Sequence, residues 1–179
     1  EIQEGTALIY PLSTMGAHVS DCPNHTVGRV TPFETRGIVA LAGTFGYELD
    51  VTKIPQEDRD MIPAQVAMYH KYNDLVREGD YYRIASCAQN HKFDCWQVVS
   101  EDKQQSLVTY VQVLNRANFK SKRILLKGLE VDTRYQVQFV NDEKVEPKVY
   151  SGDTLMKAGL LVPNPWGDFR SVLIELKAV

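Results

Sequence analysis

The sequence predicts a chain in two unlike parts, an α/β segment followed by an all-β segment, and three observations predict it. Two short apolar runs, Met15–Ser20 and Phe45–Val51, are each succeeded by a helical pattern. Strand then helix, repeated, is the unit from which parallel sheets and (β/α) barrels are built. After Gly79 the hydrophobic period changes from about 3.6 to about two. The rest of the chain is a series of short β-rich runs divided by turn residues, the pattern of an antiparallel β-sandwich. The boundary is placed at the end of the last long helical pattern, giving parts 1–79 and 80–179.

Each element has its own local signal. Residues up to about Leu12, with Ile2, Ala7, Leu8 and Ile9 apolar, read as the end of a helix that Gly5 weakens. Met15–Ser20 is a buried strand, broken by Asp21-Cys-Pro-Asn24. Thr31-Pro32-x-Glu34 is a helix start, with Thr31 as cap and Pro32 in the first turn, where a missing N–H is harmless. That helix runs through Ile38, Val39 and Leu41 and stops at Gly43. Phe45, Tyr47 and Leu49 share one face of a second strand. Thr52–Gly79 is the strongest helical segment: Pro55 opens it, Gln56-Glu-Asp58 puts negative charge at its positive end, and Ile62, Val66, Tyr69, Asn73 and Val76 trace a face. Pro63 predicts a kink or break. The strands expected beyond Gly79 are 81–85, 96–100, 107–113, 123–126, 135–140, 145–150 and 172–176, with turns at 101–103, 115–118, 141–142 and 151–153.

The first part has a difficulty. Its two strands are apolar enough to be buried on both faces, which asks for neighbours in a parallel sheet, and two strand–helix units cannot close a barrel. A partner sheet is therefore missing from the pattern. The opening residues, Glu1-Ile-Gln-Glu-Gly5, read as a cut end with an amphipathic segment already under way.

Composition narrows the function. The chain has 179 residues, 44% hydrophobic and 24% charged, ordinary for a globular protein with a real core. A net charge of −3 with scattered Lys and Arg gives no electrostatic case for nucleic acid or an acidic membrane. No apolar run approaches the roughly 20 residues of a membrane span. Three cysteines at irregular spacing, Cys22, Cys87 and Cys95, do not form a disulfide framework and predict a reducing, cytoplasmic setting.

The run Tyr10-Pro-Leu-Ser-Thr-Met-Gly-Ala-His-Val-Ser20, together with Val27-Gly-Arg-Val-Thr-Pro32, Glu34-Thr-Arg-Gly37 and Phe45-Gly-Tyr-Glu-Leu-Asp50, resembles the end of the catalytic barrel of the large microbial α-galactosidases, glycoside hydrolase family thirty-six. Tyr81-Tyr-Arg83, Trp96-x-Val-Val-Ser-Glu101, Leu126-Lys-Gly-Leu129 and Tyr150-Ser-Gly-Asp153 resemble the C-terminal β-sandwich of that family. The resemblance implies the last two strand–helix units of a (β/α)8 barrel followed by an antiparallel β-sandwich. It implies a parent enzyme that releases terminal α-galactose from raffinose-type oligosaccharides with retention. Two aspartates serve such an enzyme, their carboxyl groups about 5–5.5 Å apart so that one attacks while the other protonates the leaving oxygen. In the family both belong to motifs upstream of the segment matching Glu1, so no catalytic residue is expected here and the chain alone is expected to be inactive. No cofactor is implied. The implied partners are α-galactoside oligosaccharides and the remainder of the same enzyme, with self-association expected from the uncovered strands.

Chemistry in a (β/α) barrel sits at the C-terminal ends of the strands. The residues expected at the rim of a sugar pocket are therefore Ser20, Asp21, Asn24, His25 and Arg29. His18, mid-strand, is read as a buried, hydrogen-bonded structural histidine rather than a ligand contact. Glu48 and Asp50 are two apart on one strand, tempting as an acid/base pair, but capping or ion pairing near Thr52 is the better reading. Cys87-x-x-x-His91-x-x-x-Cys95 offers three of the four ligands zinc wants, and is read as a flexible hairpin loop without metal. Cys22 is a small apolar filler or free thiol. Trp96 is read as core and Trp166, in the turn-rich Asn164-Pro-Trp-Gly-Asp168, as more exposed. Gly43-Thr-Phe-Gly46 lacks the Lys-Ser/Thr of a phosphate loop. The competing class is a carbohydrate-binding or oligomer-assembly β-sandwich without catalysis, whose mark would be a row of exposed aromatics on one sheet face.

Overall fold

A computed structural model describes residues 2–118, 120–142 and 144–179. The first short helix, α1, spans Ile2–Thr6, and a single 3-10 turn occupies Leu12–Thr14. The expected helix up to Leu12 is thus cut short just after Gly5, the residue that weakens it. Strand β1 (Gly16–Ser20) and strand β2 (Thr44–Glu48) pair in parallel, Gly16 opposite Thr44 and Ser20 opposite Glu48. Helix α2 (Phe33–Ala40) joins them and α3 (Gln56–Glu78) comes after β2.

Three helical expectations need correction. Pro32, not Thr31, occupies the N-cap of α2, and no side chain caps it. The Thr31 carbonyl instead accepts a hydrogen bond from Arg36 Nε at 3.0 Å. Helix α3 runs unbroken through Pro63. Pro63 is exposed, and water can satisfy the carbonyl its missing N–H leaves free. The buried stripe of α3 is Gln65, Tyr72 and Val76 with Met68, Tyr69 and Leu75 partly covered, so it keeps the expected Tyr69 and Val76 but runs through Gln65 and Tyr72 rather than Val66 and Asn73. The polar Gln65 at its N-terminal end is invisible to an apolar count.

The β-rich half is built on one six-stranded antiparallel sheet. Its strands are β3 (Asp80–Ala85), β4 (Phe93–Val99), β5 (Gln105–Gln112), β7 (Arg134–Phe139), β8 (Lys148–Ser151) and β10 (Arg170–Ala178). The spatial order is β3-β4-β5-β10-β7-β8. A two-stranded antiparallel sheet, β6 (Lys122–Ile124) and β9 (Leu160–Val162), lies beside it. Two short helices complete the chain, α4 (Cys87–Asn90) and α5 (Gly152–Lys157). Strand β9, three residues long, is absent from the sequence-based expectation, and the start of α5 was expected as a turn. Ser151 caps α5 by accepting from the Thr154 N–H, a signal that the Ser-Gly-Asp stretch did carry.

Both faces of the large sheet are covered, which is why β4, β5 and β10 are buried almost without interruption rather than alternately. Val108, Tyr110, Ile174 and Leu176 face a core shared with Ile124, Leu126, Leu160 and Val162. Val98, Leu107 and Leu173 face the other way, onto Leu12, Met15, Ile38, Leu41, Tyr72 and Val76. The helices of the first part therefore pack directly on the sheet of the second. A line of polar contacts runs along that junction. Asn141 Nδ2 donates to Glu34 Oε1 at 2.9 Å, Ser171 to Thr35 at 3.1 Å, and Lys71 pairs with Glu175 at 3.0 Å.

The β1–β2 pair departs from the expectation of strands buried on both faces. Ala17 and Val19 are buried against α2, whereas Gly16, His18 and Ser20 on the opposite face are exposed. Phe45, Tyr47 and Leu49 do line one packed face as the period predicts.

Candidate functional site

The in-register parallel pairing brings the C-terminal ends of β1 and β2, Ser20 and Glu48, to the same side. The connections 21–32 and 49–55 leave from there and form a polar rim. A groove of about 200 Å³ is lined by His18, Ser20, Asp21, Asn24, Arg29 and Arg36 among others. A wider one of about 560 Å³ adjoins it, sharing Asp21 and Arg36 and adding Lys53 and Asp58. Of the five rim residues expected, Ser20, Asp21, Asn24 and Arg29 come together in one groove. His25 lies on the exposed turn beside it and does not line the groove.

Each rim residue has a local reason for its place. Asn24 Oδ1 accepts from the N–H groups of Thr26 and Val27, both at 3.0 Å, and its backbone N–H reaches the Arg29 carbonyl at 2.9 Å. The turn therefore holds itself, and one face of the Asn24 amide is used in doing so. Cys22 Sγ contacts the Thr31 carbonyl at 3.7 Å, closing the base of the loop as a weak donor. Arg36 carries no functional expectation from the sequence, yet it is the staple of the rim. It donates to the Ser20 and Thr31 carbonyls, pairs with Asp58 at 3.7 Å and lies over the Phe33 ring. A lone Arg inside an amphipathic helix has no pattern that would mark it.

The tempting carboxylates do not act together. Asp50 Oδ1 accepts from the Thr52 N–H at 3.0 Å and the Thr52 hydroxyl at 2.6 Å, and Lys53 sits 3.1 Å away. The hydrogen bonds from Thr52 and Lys53 hold its carboxyl below the usual range. Asp50 is a loop organiser, in keeping with the capping expectation. Glu48 turns instead to His18, whose Nδ1 lies 3.5 Å from it. His18 is not the buried histidine expected: its side chain is 50% exposed, because the face of β1 that carries it is uncovered.

Elsewhere the candidate chemistry resolves into architecture. Cys87 opens α4, His91 ends it in a left-handed conformation with φ 58°, and Cys95 is fully buried in the sheet core, which pushes its thiol far up. The three do not converge, and among the described residues no group of His, Cys, Asp and Glu could hold a metal ion. The expected flexible loop is instead pinned by hydrogen bonds. Asn90 Nδ2 donates to the Ser86 and Phe93 carbonyls, and Asn90 Oδ1 accepts from the Lys92 and Phe93 N–H groups. Trp96 packs with Ala42 and Val111 in the core, while Trp166 is 89% exposed.

One buried group has no mark in the sequence. Glu4 on α1 is only 6% exposed, and it faces Asp94, Arg83 and Ser86. Ser86 Oγ donates to Glu4 Oε2 at 3.1 Å, Arg83 Nε lies 3.7 Å from Oε1, and Asp94 accepts from the Cys87 N–H at 2.6 Å. Burial first, then the hydrogen bond and charge of Asp94, push the Glu4 carboxyl up. It borders a small cavity of about 180 Å³ with Tyr81 and Trp96. This pair lies apart from the rim and serves the packing of α1.

Comparison with known proteins accounts for nearly the whole length. Residues 1–79 match the Melibiase family model, and residues 93–176 match the glycosyl hydrolase family 36 C-terminal domain. The chain belongs to glycoside hydrolase family 36. Its relatives in family 36 include α-galactosidase AgaA of Geobacillus stearothermophilus, 44% identical over 100% of this chain and 24% of that protein. α-Galactosidase Mel36A of Lactobacillus acidophilus is 40% identical over 100% of this chain and 23% of that one. A solved structure of a family 36 variant from G. stearothermophilus, bound to raffinose, superposes with a TM-score of 0.91 at 43% identity, covering 99% of this chain and 24% of that one. The chain thus spans about a quarter of the length of the curated family 36 relatives it matches.

Proposed function

We propose that this chain is the C-terminal part of a retaining family 36 α-galactosidase. In this reading residues 1–79 supply the last two strand–helix units of a (β/α)8 barrel, and residues 80–179 supply an antiparallel β-sandwich that braces it. The parent removes terminal α-galactose from raffinose-type oligosaccharides in the cytoplasm. Its catalytic carboxyl pair lies in the polypeptide upstream. The observation that carries the reading is the unbroken similarity of the chain, 100% of it aligned, to an α-galactosidase at 44% identity.

The geometry supports the division of labour. β1 and β2 are parallel and in register, and their C-terminal ends open on a polar rim, the side on which barrel enzymes do chemistry. Ser20, Asp21 and Arg29 offer a hydroxyl, a carboxylate and a guanidinium, the groups that hydrogen-bond sugar hydroxyls. His25 stands further out on the same loop. None of these is assigned as nucleophile. Retention needs two carboxyls about 5–5.5 Å apart on either side of the scissile bond, and the two carboxylates on β2 and its loop are committed to His18 and to Thr52.

A chimera tests the proposal. The matching quarter of the Geobacillus enzyme is replaced by this chain, and hydrolysis of an aryl α-galactoside and of raffinose is measured beside the chain alone. We expect galactose release by the chimera and none by the chain alone. A folded chimera that releases nothing, or a chain that turns over by itself, would overturn the reading.

A further inference from the structure

We propose that Trp166 is a stacking platform for the outer sugars of an oligosaccharide, extending the rim beyond the terminal galactose. The inference rests on the α-galactosidase reading above for its ligand class, and on three observations for its place. First, Trp166 is 89% exposed, and with Tyr10 it is one of two strongly exposed aromatics among the described residues. A whole indole left in water is unusual, since Trp is highly buried on average.

Second, the loop that carries it is held from several directions. Asn115 Nδ2 donates to Asn164 Oδ1 and to the Pro165 carbonyl, both at 3.2 Å, and the Asn115 N–H reaches Asp168 Oδ1 at 2.6 Å. The Phe169 N–H donates to the Val113 carbonyl at 3.3 Å, and Gly167, with φ 100°, makes the bend that an L side chain rarely adopts. The indole is thus presented by a fixed backbone, so little ordering remains to be done on binding.

Third, the same loop touches the rim. The Arg29 guanidinium lies over the Phe169 ring, 5.2 Å from its centroid, and Arg29 also lines the groove with Ser20 and Asp21. Phe169 lies three positions on from Trp166, a backbone reach of at most about 10 Å. That is the scale of an added sugar unit or two, not of the galactose itself. The electron-rich indole face suits the polarised C–H face of a pyranose, with Arg29 and Asp21 placed for the hydroxyl edges.

The chain contains two tryptophans, and the other, Trp96, is buried, so it serves as an internal control. In ¹H–¹⁵N spectra of the 179-residue chain, stachyose should shift the Trp166 indole N–H saturably while the Trp96 signal stays fixed. The disaccharide melibiose should shift it less. Saturation transfer to stachyose protons should weaken by about tenfold in apparent affinity in W166A and be largely kept in W166F. Three results would overturn the proposal: no movement of the Trp166 signal at high stachyose, equal transfer in W166A, or a shift that tracks protein concentration rather than sugar, which would assign the indole to a second copy. The chimera assay reads the underlying function separately. Activity there without a sugar-dependent Trp166 shift removes this inference alone.

Discussion

Single residues in this chain are tuned by what faces them, and Glu4 shows it most clearly. A carboxyl that is buried, and beside a second carboxylate, prefers to keep its proton. Its folded-state pKa is raised, so the folded chain binds more protons than the unfolded one. Stability from this site is therefore fully present at low pH and is lost as pH rises through the raised value. Glu4→Gln keeps the shape, offers a donor to Asp94 and removes the titration. Urea unfolding of wild type and E4Q at about pH 4.5 and at about pH 7 should show E4Q gaining relative to wild type at the higher pH. An equal difference at both values would contradict the assignment. Nothing local in Gln3-Glu4-Gly5 distinguishes Glu4 from a solvated helix residue. Its burial comes from Arg83, Ser86 and Asp94, which are remote in sequence. Asp50 is the opposite case. Its partners, Thr52 and Lys53, are its neighbours in sequence, so its capping role is legible in the sequence alone.

Among the elements, α2 and α3 fit closely. Gln65, 2% exposed, donates to the Phe33 carbonyl at 3.1 Å and accepts from the Tyr47 hydroxyl at 2.9 Å, tying α3 to α2 and β2 at once. Gly37 of α2 leaves the room for it: a Cβ there would stand 2.3 Å from Gln65 Nε2. Two effects of Gly37→Ala oppose each other. Helix propensity favours Ala by about 1 kcal/mol, while forcing a methyl into a packed contact costs about 1–3 kcal/mol. The hydrogen bonds of Gln65 would also be disturbed. We expect G37A to lower stability, read as a fall in the denaturation midpoint with unchanged slope; a rise would show that Gln65 yields freely. Strands with a covered face on each side, such as β5 and β10, announce themselves as apolar runs. The start of the α3 stripe is less legible, because its first fully buried member, Gln65, is polar. A three-residue strand such as β9 has too few positions to show a period at all.

On the scale of the whole molecule, the β1–β2 pair stands apart. It has an uncovered face, and Leu8, Ile9 and Tyr10 lie exposed just before it. Exposed apolar surface of this kind favours association. We expect the isolated 179-residue chain to bind an apolar dye and to sediment faster as its concentration is raised. A monomer at every concentration, without dye binding, would show that this surface is tolerated in water. The barrel reading of 1–79 accounts for the same surface as one meant to be covered by further polypeptide.

The order β3-β4-β5-β10-β7-β8 has a consequence for how such a chain is made. The last strand of this sheet to be synthesised, β10, lies in its middle, hydrogen-bonded to β5 on one side and to β7 on the other. During translation the emerging sheet is two unconnected halves, each with a bare inner edge open to mispairing. Only when Arg170–Ala178 clears the ribosome can it slide between them and bury Leu173, Ile174 and Leu176. Cooperative closure of the sheet is thus deferred until β10, its keystone, has been made.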